Sequence, residues 1–214
     1  MTKFENLPKE IPIFPLSNFI IFPEINVPLN IFEPRYVQMI DDSMKSNRLI
    51  GMIQPKKTGM LNKPDLYDVG CVGKITNFNE TSDGKYFIII NGISRFKITK
   101  EISTEKLYRI CKINYENFAD DLTKKKEGIN FSDLELIFKD LKNLFEKKGF
   151  VINWSDLKNE NIDHAINTLS MASPFSIEEK QILLETFDTN SRKSKLEEIL
   201  KTYILDEFSN TTLQ

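Results

Sequence analysis

The side chains most often used in catalysis are few in this sequence, and their spacing does not bring them together. The sole histidine, His164, follows Asp163, but adjacent helical positions point in different directions, so this carboxylate cannot orient the imidazole as in a catalytic triad. Carboxylate doublets occur at 41–42, 178–179 and 197–198. Neighbouring helical carboxylates splay apart and are typical of solvated surfaces. We therefore predict no catalytic residue and no enzymatic activity.

Nucleotide and metal sites also lack their residues. Gly-Lys steps occur at 73–74 and 84–85, but neither is followed by Ser or Thr or preceded five residues earlier by Gly, so the phosphate-binding P-loop is missing. Cys71 and Cys111 have no C-x-x-C spacing, and structural zinc needs four Cys or His ligands held together. Both cysteines are typical of small buried side chains in a reducing compartment. We predict no disulfide, no metal and no cofactor.

Composition and charge favour a soluble protein of the cytoplasm. The chain has 214 residues, of which 40% are hydrophobic and 28% charged, and a net charge of −2. This size allows one sizeable core plus a smaller one. The first ten residues carry charges and no apolar stretch, so we predict neither a signal peptide nor a membrane partner. The negative net charge gives no general attraction to nucleic acid, which is therefore an unfavoured partner.

The elements that must position any site fall into a β-rich and a helical part. All eight glycines lie at or before Gly149, and eight of nine prolines lie at or before Pro64. Short β-type runs, with a hairpin turn at Asp83-Gly84, predict a barrel-like β domain over residues 1–119. Its central strand should include Tyr86–Ile90, because this run is apolar on both alternating faces and both faces must be covered.

The pattern changes after residue 119. Polar residues 120–130 predict a linker, and residues 131–210 have the apolar spacing of a helical bundle. Ser132 with Glu135, and Ser176 with Glu179, have the spacing of capping boxes. The predicted apolar stripes span Leu134–Phe145, Ile162–Leu169, Ile182–Phe187 and Leu196–Ile204. The predicted class is α+β: a mostly-β N-terminal domain with a short helix, followed by a C-terminal α-helical bundle.

The most informative segment is Ile31-Phe32-Glu33-Pro34-Arg35-Tyr36. Proline suits the first position of a helix, so a helix should begin at Pro34, with Glu33 as a weak cap or N-terminal anion. Prolines at 12, 15, 23 and 28 restrict the preceding chain to short or edge strands. The segment therefore predicts a helix docked against a sheet.

This segment resembles the opening of the N-terminal domain of the ATP-dependent protease Lon, where a proline-punctuated strand leads into an I-F-E-x-R-Y motif. Further matches follow in the family's order at Leu49–Met52, Tyr67–Ile75, Asp83–Lys85 and Asn91–Phe96. The resemblance is strong over about the first 115 residues and weaker over the helical remainder. It implies a PUA-like β fold followed by helices, and a stand-alone domain without the ATPase and protease modules of the full-length enzymes.

The same resemblance implies a function without turnover. It suggests a polypeptide-binding module that recognises unfolded or damaged proteins, or that acts as an adaptor in protein quality control, with a protease or chaperone as a further partner and a homodimer as one assembly. The candidate polypeptide-binding residues are Phe32, Glu33, Arg35, Tyr36, Arg95 and Phe96. Core packing competes with this role for the three aromatic side chains, and Glu33 could pair with either arginine.

Two alternatives stay open. PUA-like folds also bind RNA, which would require Arg35, Arg95 and Arg109 on one face beside aromatic side chains that stack bases. An unrecognised hydrolase would have to work without histidine or with His164 alone. A contiguous apolar groove would favour polypeptide, and a basic groove with stackable aromatics would favour RNA.

Overall fold

The computed structural model describes residues 7–60, 63–82, 84–123, 135–149 and 153–211. The chain divides into two compact units, Met1–Lys125 and Lys126–Gln214. The first unit is mostly β with one α-helix and the second is helical, which confirms the predicted α+β class. Within the described ranges, every helix is too short or too polar to cross a membrane.

In its described residues, the first unit has eight strands, an α-helix and a 3-10 helix. The α-helix, α1, spans Pro34–Met44 and the 3-10 helix spans Glu116–Leu122. The strands are β1 (Glu10–Pro15), β2 (Asn26–Ile31), β3 (Leu49–Ile53), β4 (Pro55–Met60), β5 (Lys63–Leu66), β6 (Val69–Glu80), β7 (Tyr86–Ile102) and β8 (Arg109–Asn114).

The main sheet closes on itself through the long strand β7. The strand order is β2-β7-β6-β3-β1-β8, and β7 also pairs with β8. The first half of β7 lies between β2 and β6, and the C-terminal end of β7 pairs antiparallel with β8, with Ile98 opposite Ile113. The β1–β3 pair is parallel, with Ile13 opposite Gly51. Closure joins five strands, β7, β6, β3, β1 and β8, in a ring and leaves β2 at an edge. An edge position suits β2 because it contains Pro28, which has no backbone N–H to donate to a second neighbouring strand.

The β6–β7 hairpin is longer at its turn than the sequence indicated. Glu80 pairs with Tyr86, so five positions separate these paired residues instead of two, and Asp83 of the predicted turn lies outside the described residues. The Thr81 N–H donates to the Lys85 carbonyl over 2.8 Å. Gly84 adopts a φ of +73°, a conformation that glycine accepts without steric cost.

The predicted central strand is covered unequally on its two faces. Ile88 and Ile90 are fully buried, whereas Tyr86, Phe87 and Ile89 are only half-buried. The prediction that both faces are buried is therefore wrong for this part of β7. Strand alternation directs Ile88 and Ile90 into the core and leaves Ile89 on the outer face.

The 3-10 helix extends the first unit past residue 119. Asp120, Asp121 and Leu122 belong to this helix, although the sequence places them in the linker. Phe118, also in this helix, is its buried residue. Residues 124–130 of the predicted linker lie outside the described residues.

The described part of the second unit, 135–149 and 153–211, contains five helices around one apolar core. They are α2 (Glu135–Lys147), α3 (Trp154–Asn159), α4 (Ile162–Ala172), α5 (Ile177–Glu185) and α6 (Thr189–Thr211). Core residues come from all of them, including Leu141, Leu157, Leu169, Leu183 and Leu196. The short helix α3, which the sequence analysis missed, places Trp154 edge-on against Phe138 and Phe145.

Helix ends in the second unit follow local signals. Ser176 and Glu179 form the predicted reciprocal capping box of α5, whereas Ser132 of the other predicted box lies outside the described residues. His164 lies in the first turn of α4, where its backbone N–H donates to Asn161 Oδ1. The predicted stripe Ile182–Phe187 is wrong at both ends: only its middle residues, Leu183 and Leu184, are buried, and both terminal side chains are exposed.

Candidate functional site

The N-terminus of α1 forms as the sequence predicts, but Glu33 does not cap it with its side chain. Pro34 occupies the first turn, and Glu33 is the residue before the helix. The Glu33 carboxylate instead accepts hydrogen bonds from Nε and Nη2 of Arg35, at 3.0 and 2.8 Å. Both side chains are nearly half exposed. The segment therefore presents an accessible ion pair at the surface.

The following residue, Tyr36, anchors the helix to the sheet. Its ring centroid lies 4.4 Å from that of Phe14 in β1, and the Arg35 guanidinium lies 4.5 Å from the Tyr36 centroid. Burial raises the pKa of Tyr36 above its ordinary value. Met39 and Ile40 are buried on the same side of the helix, so α1 is held by an apolar face while Arg35 stays at the surface.

Asp41 and Asp42 fix α1 to two other segments. Asp41 accepts a hydrogen bond from the Tyr86 hydroxyl at 2.8 Å. Asp42 accepts hydrogen bonds from Lys106 Nζ and from the Tyr108 hydroxyl, both at 2.8 Å. The two carboxylates are splayed, as predicted, but the interpretation of this doublet as a merely solvated face is wrong.

The segment 103–108 is held against α1 by a further contact. The backbone N–H of Leu107 donates to Gln38 Oε1 over 3.0 Å. Together with the Asp42 contacts to Lys106 and Tyr108, this bond fixes three successive residues. The connection between β7 and β8 is therefore positioned by side chains of the helix, although residues 103–107 are exposed.

These contacts shift the ionisation of the groups involved. Hydrogen bonding to Asp41, with burial second, raises the pKa of Tyr86 to about 12. Burial, followed by the hydrogen bond to Asp42, raises the pKa of Tyr108 to about 12. Hydrogen bonds from Lys106 and Tyr108 lower the pKa of Asp42. The neutral phenols and the ionised carboxylate thus stabilise each other at neutral pH.

The hydrogen bonds of Asp41 with Tyr86, and of Asp42 with Lys106 and Tyr108, form a clamp between α1 and its neighbours. We expect this clamp to be intact across a defined pH range. A raised phenol pKa contributes stability that is complete below about pH 10 and is lost as the pH rises through about 12. The lowered pKa of Asp42 contributes stability above about pH 4 that is lost as the pH falls further. NMR titration of ring-labelled tyrosine should place Tyr86 and Tyr108 near pH 12. The Asp41→Asn variant should lower the titration midpoint of Tyr86 and leave that of Tyr108 unchanged. Titration of both tyrosines near pH 10 in the wild-type protein would show that these hydrogen bonds are not formed.

A cleft of about 600 Å³ opens where α1, the segment 103–108 and the ends of β1, β5, β7 and β8 meet. Its apolar lining residues are Ile13, Pro15, Ile102 and Leu107. Its charged lining residues are Arg35, Lys63, Glu101, Lys106 and Arg109, and Tyr36, Ser103, Thr104 and Tyr108 complete the wall. Leu107 is 62% exposed, so it presents an apolar side chain to solvent among hydrogen-bond donors.

A shared carboxylate organises one side of the cleft. Glu101 accepts a hydrogen bond from Arg109 Nη2 at 2.5 Å and lies 3.0 Å from Lys63 Nζ. Arg109 also donates to the Pro64 carbonyl through Nη1 at 2.7 Å. Burial opposes ionisation of Glu101, but the bonds from Arg109 and Lys63 outweigh it and lower its pKa. The carboxylate thus remains ionised between two cations.

The structure separates the six candidate polypeptide-binding residues into two groups. Phe32 is 65% exposed, and Glu33 and Arg35 are accessible beside it. Tyr36 is 6% exposed and Phe96 is fully buried, so both belong to the core. Strand and helix packing covers most of both aromatic side chains, and Tyr36 reaches the surface only where it lines the cleft.

Arg95 is also removed from the surface. Its Nε and Nη2 atoms lie 2.9 and 2.7 Å from the two carboxylate oxygens of Asp121, and its guanidinium stacks 4.4 Å from the Phe118 ring. The ion pair is 3% and 9% exposed on its two sides. Arg95 therefore ties the 3-10 helix to β7, and it contributes neither to the cleft nor to the surface around Phe32.

Only part of the residue set that RNA binding would require lies on one face of the protein. Arg35 and Arg109 line the same cleft, but Arg95 is buried with Asp121. The aromatic residues of the lining are Tyr36 and Tyr108, and both are buried. Neither can expose a ring face on which a base would stack.

Sequence reasoning missed most of the residues that line the cleft, among them Lys63, Glu101, Lys106 and Leu107. One signal was available: Leu107 is a lone apolar residue after the polar run Ser103–Lys106, between two strand patterns. An apolar residue isolated in a polar connection is either tucked inward or exposed for contact. Its proximity to Arg35 depends on sheet closure and could not be inferred from spacing.

Comparison with known proteins assigns the fold. The N-terminal domain protein of Lon from Xanthomonas campestris superposes with a TM-score of 0.62 and 17% identity, covering 87% of this chain and 96% of that one. The N-terminal domain of Lon protease from the Mycobacterium avium complex gives a TM-score of 0.58 at 17% identity, covering 90% and 98%. These similarities confirm the predicted arrangement of a mostly-β part followed by helices.

Sequence relatives agree with the structural ones. Lon protease of Dictyoglomus thermophilum is 25% identical over 206 residues, covering 92% of this chain and 25% of the relative. Lon protease of Parabacteroides distasonis is 29% identical over 196 residues, covering 90% and 24%. The chain thus spans about a quarter of the length of these relatives. The family model described as the ATP-dependent protease La (LON) substrate-binding domain matches residues 10–202, and the chain belongs to this family.

Proposed function

We propose that the first unit binds non-native polypeptide, without turnover, through the cleft beside α1. The observation that carries this proposal is the exposure of Leu107 among fixed hydrogen-bond donors in a cleft of about 600 Å³. Binding sites combine apolar surface with a few placed polar groups that orient the ligand. The name of the matching family, a substrate-binding domain, supports the same function.

The geometry suits an extended chain better than a compact small molecule. The cleft lies between a helix and the exposed segment 103–107, and its apolar residues are separated by charged ones. An extended polypeptide alternates its side chains along its length, so it can place an apolar group on Leu107 while neighbouring groups reach Arg35 or Lys106. Phe32, exposed just before α1, offers a second apolar contact.

The biological role that we propose follows from this ligand. Exposed apolar segments are a mark of unfolded or damaged proteins, because folded monomers bury most such surface. A module that recognises them would act in quality control, either as part of a protease or as an adaptor that delivers them to a protease or chaperone. RNA binding is the weaker alternative, because the cleft exposes no stacking aromatic.

Replacement of Leu107 with Ser should weaken binding of a labelled, reduced and alkylated polypeptide by about tenfold, which corresponds to about 1.4 kcal/mol. The variant loses the apolar contact between the Leu107 side chain and the ligand, which would bury only part of that side chain. Fluorescence anisotropy titration measures the affinity, and circular dichroism checks the fold. The matched control is Leu205→Ser, because Leu205 is a similarly exposed leucine, at 67%, in the second unit.

The two variants together decide the place of binding. A selective loss in the Leu107 variant supports the cleft. Unchanged affinity in a folded Leu107 variant, or an equal loss in the Leu205 variant, would remove the cleft as the polypeptide site.

A further inference from the structure

We propose that the cleft selects acidic polypeptide segments, in which an apolar side chain lies next to Asp or Glu along an extended chain. This inference rests on the proposed function and names its substrate class. It is drawn from the charge of the cleft, from the exposure of its cations, and from the fixed position of Leu107 beside Lys106.

The cleft has a charge opposite to that of the whole chain. Four cations line it, Arg35, Lys63, Lys106 and Arg109, against one lining carboxylate, Glu101. With the partners Glu33 and Asp42 included, four positive charges face three negative ones, which leaves an excess of +1. The chain as a whole carries −2. The cleft is therefore a local positive region, and the rest of the molecule repels acidic ligands more than this site does.

Three of the four cations, Arg35, Lys63 and Lys106, keep the capacity to bind a further carboxylate, whereas Arg109 is largely buried and bound to Glu101 and the Pro64 carbonyl. Arg35 uses Nε and Nη2 on a single oxygen of Glu33, and a guanidinium carries five N–H donors. Lys63 and Lys106 are 61% and 46% exposed at their side chains. Exposed ion pairs are weak because water screens them, so an incoming carboxylate can join or replace the existing partner at little cost.

Apolar and cationic contacts are adjacent and fixed in position. Lys106 is held by Asp42, and Leu107 is held through its backbone by Gln38. Both therefore face the cleft from a segment that α1 has already ordered, which reduces the entropy lost on binding. A ligand that matches this pair has an apolar residue with an acidic residue at or near the next position.

An acidic polypeptide fits this cleft better than an RNA strand does. Both ligands bring negative charge, but single-stranded RNA is recognised by stacking of bases on exposed aromatic rings. Tyr36 is packed against Phe14, and Tyr108 donates its hydroxyl to Asp42. The apolar contact available in the cleft is instead aliphatic, from Leu107 and Ile102.

The test uses three labelled peptides with the same apolar residues, spaced alternately by Glu, Gln or Lys. At low salt, fluorescence anisotropy should show the Glu peptide binding about tenfold more tightly than the Gln peptide, with the Lys peptide weakest. The difference should shrink as salt increases, because the cations are exposed and screened. Equal binding of the Glu and Gln peptides would overturn the acidic preference while leaving polypeptide binding intact. Failure of all three to bind would overturn the proposed function together with the preference.

Variants of Arg35 and Lys106, the rim residues of the cleft, test whether the acidic preference arises there. Lys106→Gln and Arg35→Gln should each reduce the affinity for the Glu peptide about threefold to tenfold and reduce that for the Gln peptide by less. The matched control is Lys112→Gln, because Lys112 is an exposed lysine paired with Glu10 and lies outside the cleft lining. Equal losses in the rim variants and the Lys112 variant would overturn the assignment to the cleft. Tighter, steeply salt-dependent binding of an oligouridine strand than of the Glu peptide would overturn it in favour of RNA.

Discussion

Replacement of Arg95 with Ala is expected to lower the free energy of unfolding by about 3–5 kcal/mol. The Arg95 side chain is buried, and both its guanidinium and its backbone N–H donate to the Asp121 carboxylate. Removal of the guanidinium leaves a buried carboxylate without its counter-charge, which is the costly half of breaking such a pair. The contact with the Phe118 ring is lost as well. Urea unfolding followed by circular dichroism measures the change.

The matched control for this prediction is Arg35→Ala. Arg35 also binds a carboxylate through Nε and Nη2, but it and Glu33 are 43% and 44% exposed at their side chains. Loss of that pair should change stability by no more than about 1 kcal/mol. A second variant, Arg95→Met with Asp121→Leu, should recover only part of the loss, because it removes the unpaired charge but also the acceptor of the backbone N–H of residue 95. Equal destabilisation by the two alanine variants would show that burial of the Arg95 pair carries no special cost.

Local signals were the part of this structure that the sequence could predict. The start of α1 at Pro34 and the Ser176–Glu179 capping box depend on residues within one turn of each other. The end of α2 near Gly149, where φ is +74°, is equally local. Such features follow from backbone geometry and nearby hydrogen bonds, so tertiary packing seldom alters them.

Pairings across long stretches of chain could not be predicted. Glu33 was expected to pair with Arg35 or Arg95, and it takes the nearer one. The partner of Arg95 is Asp121, which lies 26 residues further on in a segment whose polar composition indicated a linker. A polar run looks the same whether its carboxylate is solvated or buried, because spacing contains no information about the partner.

The cleft was missed for the same reason. Arg35 comes from a helix, Lys63 from the separate two-stranded sheet β4–β5, and Lys106 from a connection between strands. They meet because β7 pairs with both β6 and β8 and closes the sheet. Family resemblance supplied the fold, but only the resulting surface showed which cations surround Leu107.

The run Tyr86–Ile90 shows a further limit. Five consecutive apolar residues give no alternation from which to choose the inward face, because a shift of one residue exchanges the two faces of a strand. The sequence therefore predicted burial on both faces, at Ile89 as well as at Ile88 and Ile90. Pairing of Val27 with Ile90 and of Leu29 with Ile88 accompanies burial of these two isoleucines, and Ile89 is only half-buried.

Replacement of Ile90 with Ala is expected to lower the free energy of unfolding by about 2–5 kcal/mol. The Ile90 side chain is fully buried in the strand that joins β2 to β6. It packs so closely on Gly73 that a Cβ there would lie 2.2 Å from Ile90 Cγ2. Because the neighbouring backbone is fixed in the closed sheet, it cannot collapse into the space left by the lost methyl groups, and a cavity adds to the lost apolar burial.

The matched control for Ile90→Ala is Ile89→Ala, at the preceding residue of the same strand. Ile89 is half-buried, so its truncation removes less apolar surface from the core and opens no enclosed cavity; its cost should be below about 1.5 kcal/mol. Both variants keep the backbone pairing of β7 and share the same loss of β propensity, so their difference isolates burial. Chemical unfolding of the two proteins under identical conditions measures it. A larger effect at Ile89 than at Ile90 would mean that the opposite face of β7 is the one turned towards the core.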